Sequence, residues 1–506
     1  GKNSKDFYGR DRFGNKRADG KNEESVKNTG NGSRKRNSPC PVYEQCGGCQ
    51  LLHLPYKQQL AEKQKRMEEL LKGICPVKPI IGMKEPLHYR NKVPAVFGHD
   101  RKGNPLSGVY KEGTHILVPV EKCLIEDEKA DEIIGTIRGM LKSFKIRTFD
   151  EDTGYGFLRH VLVRRGFATG EIMVVLVTAS PVFPSKNNFV KALREKHPEI
   201  TTIIQNINNR STSMVLGDKE HVLYGRGYIE DVLCGLRFRI SSKSFYQVNS
   251  AQTELLYNKA LQLAGLTGKE KALDAYCGIG TIGLIASRKA GEVIGVELNP
   301  DAVRDAVQNA KMNDVKNIQF YCNDAGRFIV NMAEKGEKVD VILMDPPRSG
   351  STKEFIDAVA KMGPERVVYV SCGPETLVRD LRWFMGNGYR AVEAWPVDMF
   401  GGTGHVETVV LLSKLKSAKS IEVKIELDEM DLTIAESKAT YDKIKQYVLD
   451  KTGLKVSQLY IAQVKRKHGL IERINYNVGD GKAKVPQVPL EKEEAIEDAL
   501  RHFKMI

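Results

Sequence analysis

Three short stretches of this chain carry reactive side chains where plain core residues are expected. Residues 367–377 read VVYVSCGPETL, a run of β-formers that ends at Cys372 just before a Gly-Pro turn. A thiol at a strand's end is either a small buried hydrophobe or a nucleophile set for attack. Residues 344–350 read MDPPRSG, with Asp345 at the carboxyl end of a strand, which is where ligands bind in parallel sheets. Residues 404–412 read GHVETVVLL, where Glu407 opens the last strand and is a candidate general base. Thiol and base together describe covalent catalysis by an activated cysteine. His405 reads as a structural hydrogen-bonder.

Those residues need a co-substrate pocket beside them. Residues 274–283, DAYCGIGTIG, place a glycine-rich turn after a strand, so the backbone can approach a ligand at a helix N-terminus. Glu297, ending the next strand in GVELN, can bind both hydroxyls of a ribose. Alone, this pattern fits a dinucleotide or S-adenosylmethionine. Asp274 repels a pyrophosphate and welcomes a methionine ammonium group. Asp324, in CNDA at the end of the third strand, can reach an adenine amine. Both favour S-adenosylmethionine. Amino-directed methyltransferases follow such an Asp-Pro-Pro corner with an aromatic residue; here Arg348 follows, which argues against adenine-N6 chemistry.

A second group of thiols lies upstream. CPVYEQCGGCQLLHL supplies Cys40, Cys46 and Cys49, and Cys123 in VEKCLIE completes a set of four, with Cys75 as its rival. Four thiolates suit an iron-sulfur cluster or a zinc ion. Cys234, Cys277 and Cys322 read as core residues.

The elements that must position these groups follow from periodicity. KALDAY, EVIGVEL, QFYCND, VDVILMD, RVVYVS and ETVVLLS alternate with helical stretches, which predicts a doubly wound, mainly parallel, Rossmann-like α/β domain over 241–415. Residues 40–240 read as an α+β domain for metal and RNA binding, with a helix over 56–72 and strands near 91–97, 158–165, 171–178, 201–207 and 236–240. Residues 1–39 hold 11 basic and 5 acidic side chains and few aliphatic ones, a composition that predicts a disordered arm. Residues 416–506 read as a small, charged, α-rich extension, with helices over 433–450 and 490–503 and a strand-like LKVSQLYIAQV at 454–464. It serves either as an RNA-binding helper or as a structural appendage.

A length of 506 residues suits about three domains, and a formal net charge of +14 suggests a polyanionic partner such as nucleic acid. No apolar run reaches the roughly 20 residues that span a bilayer. A cytoplasmic monomer with no membrane partner is the expectation.

SFYQVN at 244–249, DAYCGIGT, DPPR, SCGPET and HVETVVLL, in this order, resemble the RNA uracil-C5 methyltransferase family over residues 40–415. The resemblance implies that a Cys372 thiolate adds to C6 of uracil, so that C5 attacks the methyl group, and that Glu407 then removes the C5 proton. It implies that Asp345 lies between uracil and cofactor, with Gln247, Tyr276, Glu297 and Asp345 on the cofactor. Asp324 and Thr281 match less uniform family positions. The cysteine spacing is similar to the [4Fe-4S] motif of the 23S ribosomal RNA branch, which favours that RNA over the tRNA thymine loop. A non-catalytic RNA chaperone keeping the fold is the remaining reading. Arg90, Lys92, Arg159, Arg164 and Arg165 are candidate phosphate contacts, Tyr89 and Phe157 candidate stacking residues, and Phe245 a support for a flipped base. Many relatives carry a β-barrel RNA module before the cysteines, for which 1–39 is too short and polar. The family's D-x-F-P run is DMFG here, and Gly401 in place of proline predicts a more mobile loop.

Overall fold

Apolar runs such as Val341–Met344 and Arg366–Ser371 are buried along their length, as strands covered on both faces must be. The structure, a computed structural model, describes residues 38–210, 214–415, 441–468 and 488–503. It divides into two compact units, Gly1–Leu415 and Lys416–Ile506.

The first unit holds two seven-stranded sheets. The earlier one comprises β1 (Lys92–His99), β2 (Pro105–Tyr110), β3 (Leu117–Pro119), β4 (Leu158–Arg165), β5 (Ile172–Thr178), β6 (Ile200–Ile207) and β7 (Lys219–Tyr224) in the order 3-2-1-4-5-6-7. All its pairings are antiparallel except β5 with β6. A hairpin, β8 (Ile229–Leu233) and β9 (Leu236–Ile240), follows. The later sheet comprises β10 (Lys271–Ala275), β11 (Glu292–Glu297), β12 (Ile318–Cys322), β13 (Val341–Met344), β14 (Arg366–Ser371), β15 (Tyr389–Val397) and β16 (Glu407–Lys414), in the order 12-11-10-13-14-16-15. Its first five strands in that order run parallel, and β16 and β15 are antiparallel. This is the Rossmann-like arrangement the alternation predicts. Val341 and Leu343 face one core while Ile342 and Met344 face the other, so both sheet faces are covered.

Leu162, Met173 and Val175 of the earlier sheet share a core with Leu256 and Tyr257 of the helix Ser250–Ala264 and with Leu343 of the later sheet. The strands β2, β3, β7, β8 and β15 are not in the sequence reading. Burial is patchy in β7 and broken by the bulge between Ala391 and Glu393 in β15, and β8 is only five residues long.

The second unit contains the helices Tyr441–Thr452, Gln458–Lys467 and Leu490–His502 around Ile444, Val448, Ile461, Val464, Ile496 and Leu500. Most of the strand-like stretch 454–464 is therefore helix. Ile461 and Val464, three residues apart, share a helical face turned into this core, and that burial overrides β-propensity. Part of the helix expected over 433–450, and nearly all of the arm 1–39, lie outside the described residues.

Candidate active site

β13 and β14 are parallel, with Met344 opposite Tyr369, so both chains leave the sheet at one edge. The residues that follow are Asp345 and Cys372. β16 runs the other way, with Thr408 opposite Ser371, so it begins at that same edge with Glu407. Sheet register alone thus brings Asp345, Cys372 and Glu407 together.

Their electrostatics are those of a carboxylate cluster. Burial and the neighbouring Asp345 push the Glu407 carboxyl up to about 8, against the pull of Arg348. Burial pushes Asp345 up to about 7. Burial, Glu407 and Asp345 push the Cys372 thiol up to about 11, with Arg348 opposing. The thiol without ligands is thus not the activated one the sequence suggested, because two acids face it. The helix Pro374–Gly386 begins just after it and turns a positive N-terminus toward it.

The nucleophile and its Asp-Pro-Pro corner are tied together. The Thr376 hydroxyl donates to the Arg348 carbonyl at 3.0 Å, and Arg379 donates to the carbonyls of Ser349 and Ser351 at 2.9 and 3.0 Å. Asp380 accepts from the Ser351 N–H and the Tyr369 hydroxyl, both at 2.7 Å. His405 departs from expectation: it is exposed, and its ring packs edge-on to Phe400, the centroids 6.1 Å apart, with only its backbone N–H bonded, to Thr403.

The glycine-rich turn opens next to this edge. Tyr276, Gly278 and Gly280 have φ of 67°, 55° and 82°. A Cβ on Gly280 would meet the Phe320 ring at 2.8 Å, so that glycine serves helix–sheet packing; one on Gly278 would meet nothing within 4 Å, leaving its backbone open to a ligand. Asp274 is fully buried; one carboxylate oxygen accepts from the Gly283 N–H at 2.7 Å, and the other has no partner. Burial, Asp345 and Glu297 push this carboxyl up to about 8. An orphaned buried acid here fits the ammonium group of a methionine moiety. Glu297 accepts from the N–H groups of Gly278 at 3.0 Å and Asn299 at 2.8 Å, half-buried beside the turn. Gln247 is buried, and the half-buried Thr281 begins the helix Thr281–Ala286. Asp324 is exposed and caps the helix Ala325–Glu334 through the Arg327 N–H. Tyr257, absent from the sequence reading, meets Thr281 at 3.4 Å and also bonds Gln247. It sits on an apolar helical face, so nothing in its spacing marked it.

Cys40, Cys46, Cys49 and Cys123 all line one cavity of about 260 Å³, together with Arg90 and Glu126. All four are free thiols. Among the described residues no three His, Cys, Asp or Glu side chains converge on a single metal ion. Cys75 packs elsewhere, against the core of the later sheet. Cys277 is buried, Cys234 half-buried, and Cys322 is exposed rather than in the core, because the end of β12 lies at the sheet's open edge.

The basic candidates divide sharply. Arg159 is buried and donates to the carbonyls of Asn208 and Arg210 at 2.9 and 2.7 Å. Arg164 is buried and donates to those of Ser241 and Ser244 at 2.7 and 2.8 Å. Both are structural cross-links, not surface phosphate contacts. Arg165 is engaged by Asp127 at 2.8 Å. The side chains of Arg90 and Lys92 have no hydrogen bond or ion pair among the described residues. Burial, Arg164 and Arg90 lower Lys92 to about 8. Tyr89 is buried with its hydroxyl on the Gly401 carbonyl at 3.0 Å, and Phe157 packs on Phe183, so neither is free to stack. Phe245 is 66 % exposed beside buried Tyr246.

Comparison with known proteins extends this picture. The family model described as tRNA (uracil-5-)-methyltransferase matches residues 55–415. An RNA methyltransferase of Halalkalibacterium halodurans is 43% identical over 380 residues, covering 74% of this chain and 83% of the relative. One from Caldanaerobacter subterraneus is 44% identical over 383 residues, covering 75% and 84%. Among solved structures, the Pyrococcus abyssi tRNA (uracil-54, C5)-methyltransferase in complex with S-adenosyl-L-homocysteine superposes with a TM-score of 0.61 at 27% identity, covering 73% of this chain and 86% of that one. No helix among the described residues is long and apolar enough to cross a membrane.

Proposed function

The chain belongs to the tRNA (uracil-5-)-methyltransferase family and is an S-adenosylmethionine-dependent RNA methyltransferase, and from that premise we propose that it methylates C5 of a uridine in 23S ribosomal RNA through a covalent bond from Cys372 to C6. The observation that carries the mechanism is the meeting of Cys372, Glu407 and Asp345 at one sheet edge beside the glycine-rich turn. S-adenosylmethionine, when bound, supplies an electrophilic methyl group on a sulfonium. Asp274 and Glu297 are the acids for its ammonium and ribose, and Gln247, Tyr276, Thr281, Asp324 and Asp345 complete the pocket. A positive charge there lowers the pKa of all three acidic groups in front of it and so favours the Cys372 thiolate. That thiolate adds to C6, and C5 becomes nucleophilic and takes the methyl group. The Glu407 carboxylate then removes the C5 proton, and the C6–S bond breaks to return Cys372.

Phosphates of the RNA meet Arg90 and Lys92, the two of the five candidate cations whose side chains have no hydrogen bond or ion pair among the described residues, and the exposed Phe245 supports the extruded base. Cys40, Cys46, Cys49 and Cys123 are the ligands of a [4Fe-4S] cluster. A single zinc ion holds each sulfur at about 2.3 Å and draws the thiolates together. What supports the cluster reading is that all four thiols line one cavity. The cysteine site favours ribosomal RNA. A tRNA substrate is the second reading, favoured by the likeness to the Pyrococcus abyssi enzyme.

The test offers unmodified 23S RNA and unmodified tRNA separately to anaerobically purified protein with S-adenosylmethionine, then maps nucleosides by mass spectrometry. 5-Methyluridine in 23S RNA alone is the expected result; product in tRNA alone transfers the same chemistry to the second reading. An unaltered cellular phenotype with Cys372→Ala would favour the chaperone instead.

A further inference from the structure

The loop before Glu407 is held from one direction by a stripe of polar residues that the mechanism does not use. Tyr56, Gln59, Lys63 and Arg66 recur at helical spacing on the helix Tyr56–Leu70. Lys63 is buried and donates to Asp398 at 2.6 Å and to the Phe400 carbonyl at 3.0 Å. The Tyr56 hydroxyl donates to the other Asp398 oxygen at 2.8 Å. Gln59 accepts from the Gly402 N–H at 2.8 Å. Arg66 donates to the Gly404 carbonyl at 3.1 Å and to Glu375 at 2.6 Å. Glu375 lies in the first turn of the helix that follows Cys372. One helix therefore grips the base-bearing loop at Asp398, Phe400, Gly402 and Gly404, and at Arg66 also touches the nucleophile's helix.

The loop is correspondingly rigid in construction. Gly401 and Gly402 are buried, the Gly401 carbonyl accepts from Tyr89, and a Cβ at Gly401 would meet the Pro86 carbonyl at 2.9 Å. Where the family run has proline, Gly401 has its carbonyl bonded by Tyr89 and its α-carbon close to Pro86. A buried ion pair is a poor source of stability, since desolvating two charges offsets their attraction. It is a good source of geometric uniqueness here: each charge has few alternative partners, so loop and helix have one register. Glu407, three residues after the last grip point at Gly404, inherits that register.

Resting on the reading of Cys372 and Glu407 above, we propose that Lys63 and Arg66 are positioning residues for proton removal: they hold the loop 398–406 so that the Glu407 carboxylate meets the C5 proton of the methylated adduct while Cys372 is still bonded to C6. The step they serve breaks the C5–H bond, passes the proton to Glu407 and the electron pair to C5–C6, and expels the Cys372 sulfur. Their bonds run to the loop and to Glu375, so on this proposal they act through Glu407, and a fault in them appears after the covalent bond has formed.

The test uses the full-length protein, the RNA the wild type methylates, and the same RNA made with 5-fluorouridine. Fluorine cannot be removed as a proton, so the fluorinated RNA reports adduct formation without Glu407. For Lys63→Met and Arg66→Ala, turnover on ordinary RNA is expected to fall about tenfold or more, a size typical of misplacement by a fraction of an ångström to 1 Å. The RNA KM should hold, and a protein–RNA adduct stable in sodium dodecyl sulfate should accumulate. With fluorinated RNA both variants should form adduct at the wild-type rate. Lys65→Ala, on the exposed side of the same helix, should match wild type in every assay. Unchanged turnover, or equal slowing with both RNAs, would overturn the proposal, the latter because it marks a general loss of structure. Should Lys63→Met not fold, Arg66→Ala decides alone, since that side chain is 45% exposed. Absence of product and of trapped adduct with the wild type overturns the underlying reading and this proposal together.

Discussion

The molecule has two sulfur sites built by opposite means. Cys372 sits at the end of a strand whose register also delivers Asp345 and Glu407, so three reactive groups are placed by hydrogen bonds between neighbouring strands. The four cysteines around the other cavity come from the segment 40–49 and from Cys123, with no shared ladder between them. Burial and the other cysteines push Cys49 up to about 12, whereas at Cys372 the opposing charges, after burial, are carboxylates. The first site should survive the loss of any one side chain. The second is expected to depend on the [4Fe-4S] cluster proposed for it.

The sharpest break is Cys372→Ala, expected to lower methyl transfer by at least about 10⁴-fold and to abolish the covalent adduct, as loss of a nucleophile does. Calorimetry should find cofactor affinity preserved, since the residue lies outside the glycine-rich turn.

Next is Glu407→Gln, expected to cost about 10²–10⁴-fold in turnover while adduct accumulates. Its pH profile sharpens the point. A carboxyl raised to about 8 is only about one-hundredth ionised at pH 6, and the bound cofactor's positive charge moves its ionisation lower, so wild-type kcat should rise with pH to a plateau below about 8. Glu407→Gln should lose that rise. The sign for stability is opposite. Asp274, Asp345 and Glu407 hold protons in the fold that the unfolded chain gives up, so their contribution is present below the ordinary carboxyl range and lost as pH rises through about 7 to 8. Thermal melts of the cofactor-free protein should show Tm falling from pH 6 to pH 9.

At the other site, Cys49→Ser should reduce bound iron and sulfide and lower Tm by about 5 °C, as measured by metal analysis and melting. Cofactor affinity should change by less than about threefold. A larger change would mean that the two sites are less separate than their construction suggests. The smallest effect belongs to Lys92→Met: RNA affinity should fall about tenfold, and the slope of log affinity against log salt should shrink by about one.

Much of this was legible in one dimension. Inner strands of the later sheet such as β13 and β14 announce themselves because they are buried on both faces and read as unbroken apolar runs between helices. A residue at the carboxyl end of such a run must sit on the sheet's ligand edge, so Asp345, Cys372 and the glycine-rich turn could be placed before any coordinates. Arg159 and Arg164 were misread because alternation along a strand does not say whether a basic residue faces water or a backbone carbonyl. The stretch 454–464 was misread because a short apolar run fits either period, and only its neighbours decide.

The sequence by itself determined the chemistry on offer: a thiol, a base and an acid at strand ends, a glycine turn with its acids, and four spare cysteines. These are local properties, set by residue type and by spacing along one element. Only the tertiary structure decided which charges are free. It spent Arg159 and Arg164 on carbonyls, left Arg90 and Lys92 without partners among the described residues, raised the Cys372 thiol by burial and two carboxyls, and buried Lys63 against Asp398, 335 residues away. Charge pairing and desolvation depend on what lies across space, and no spacing along the chain encodes a neighbour that distant.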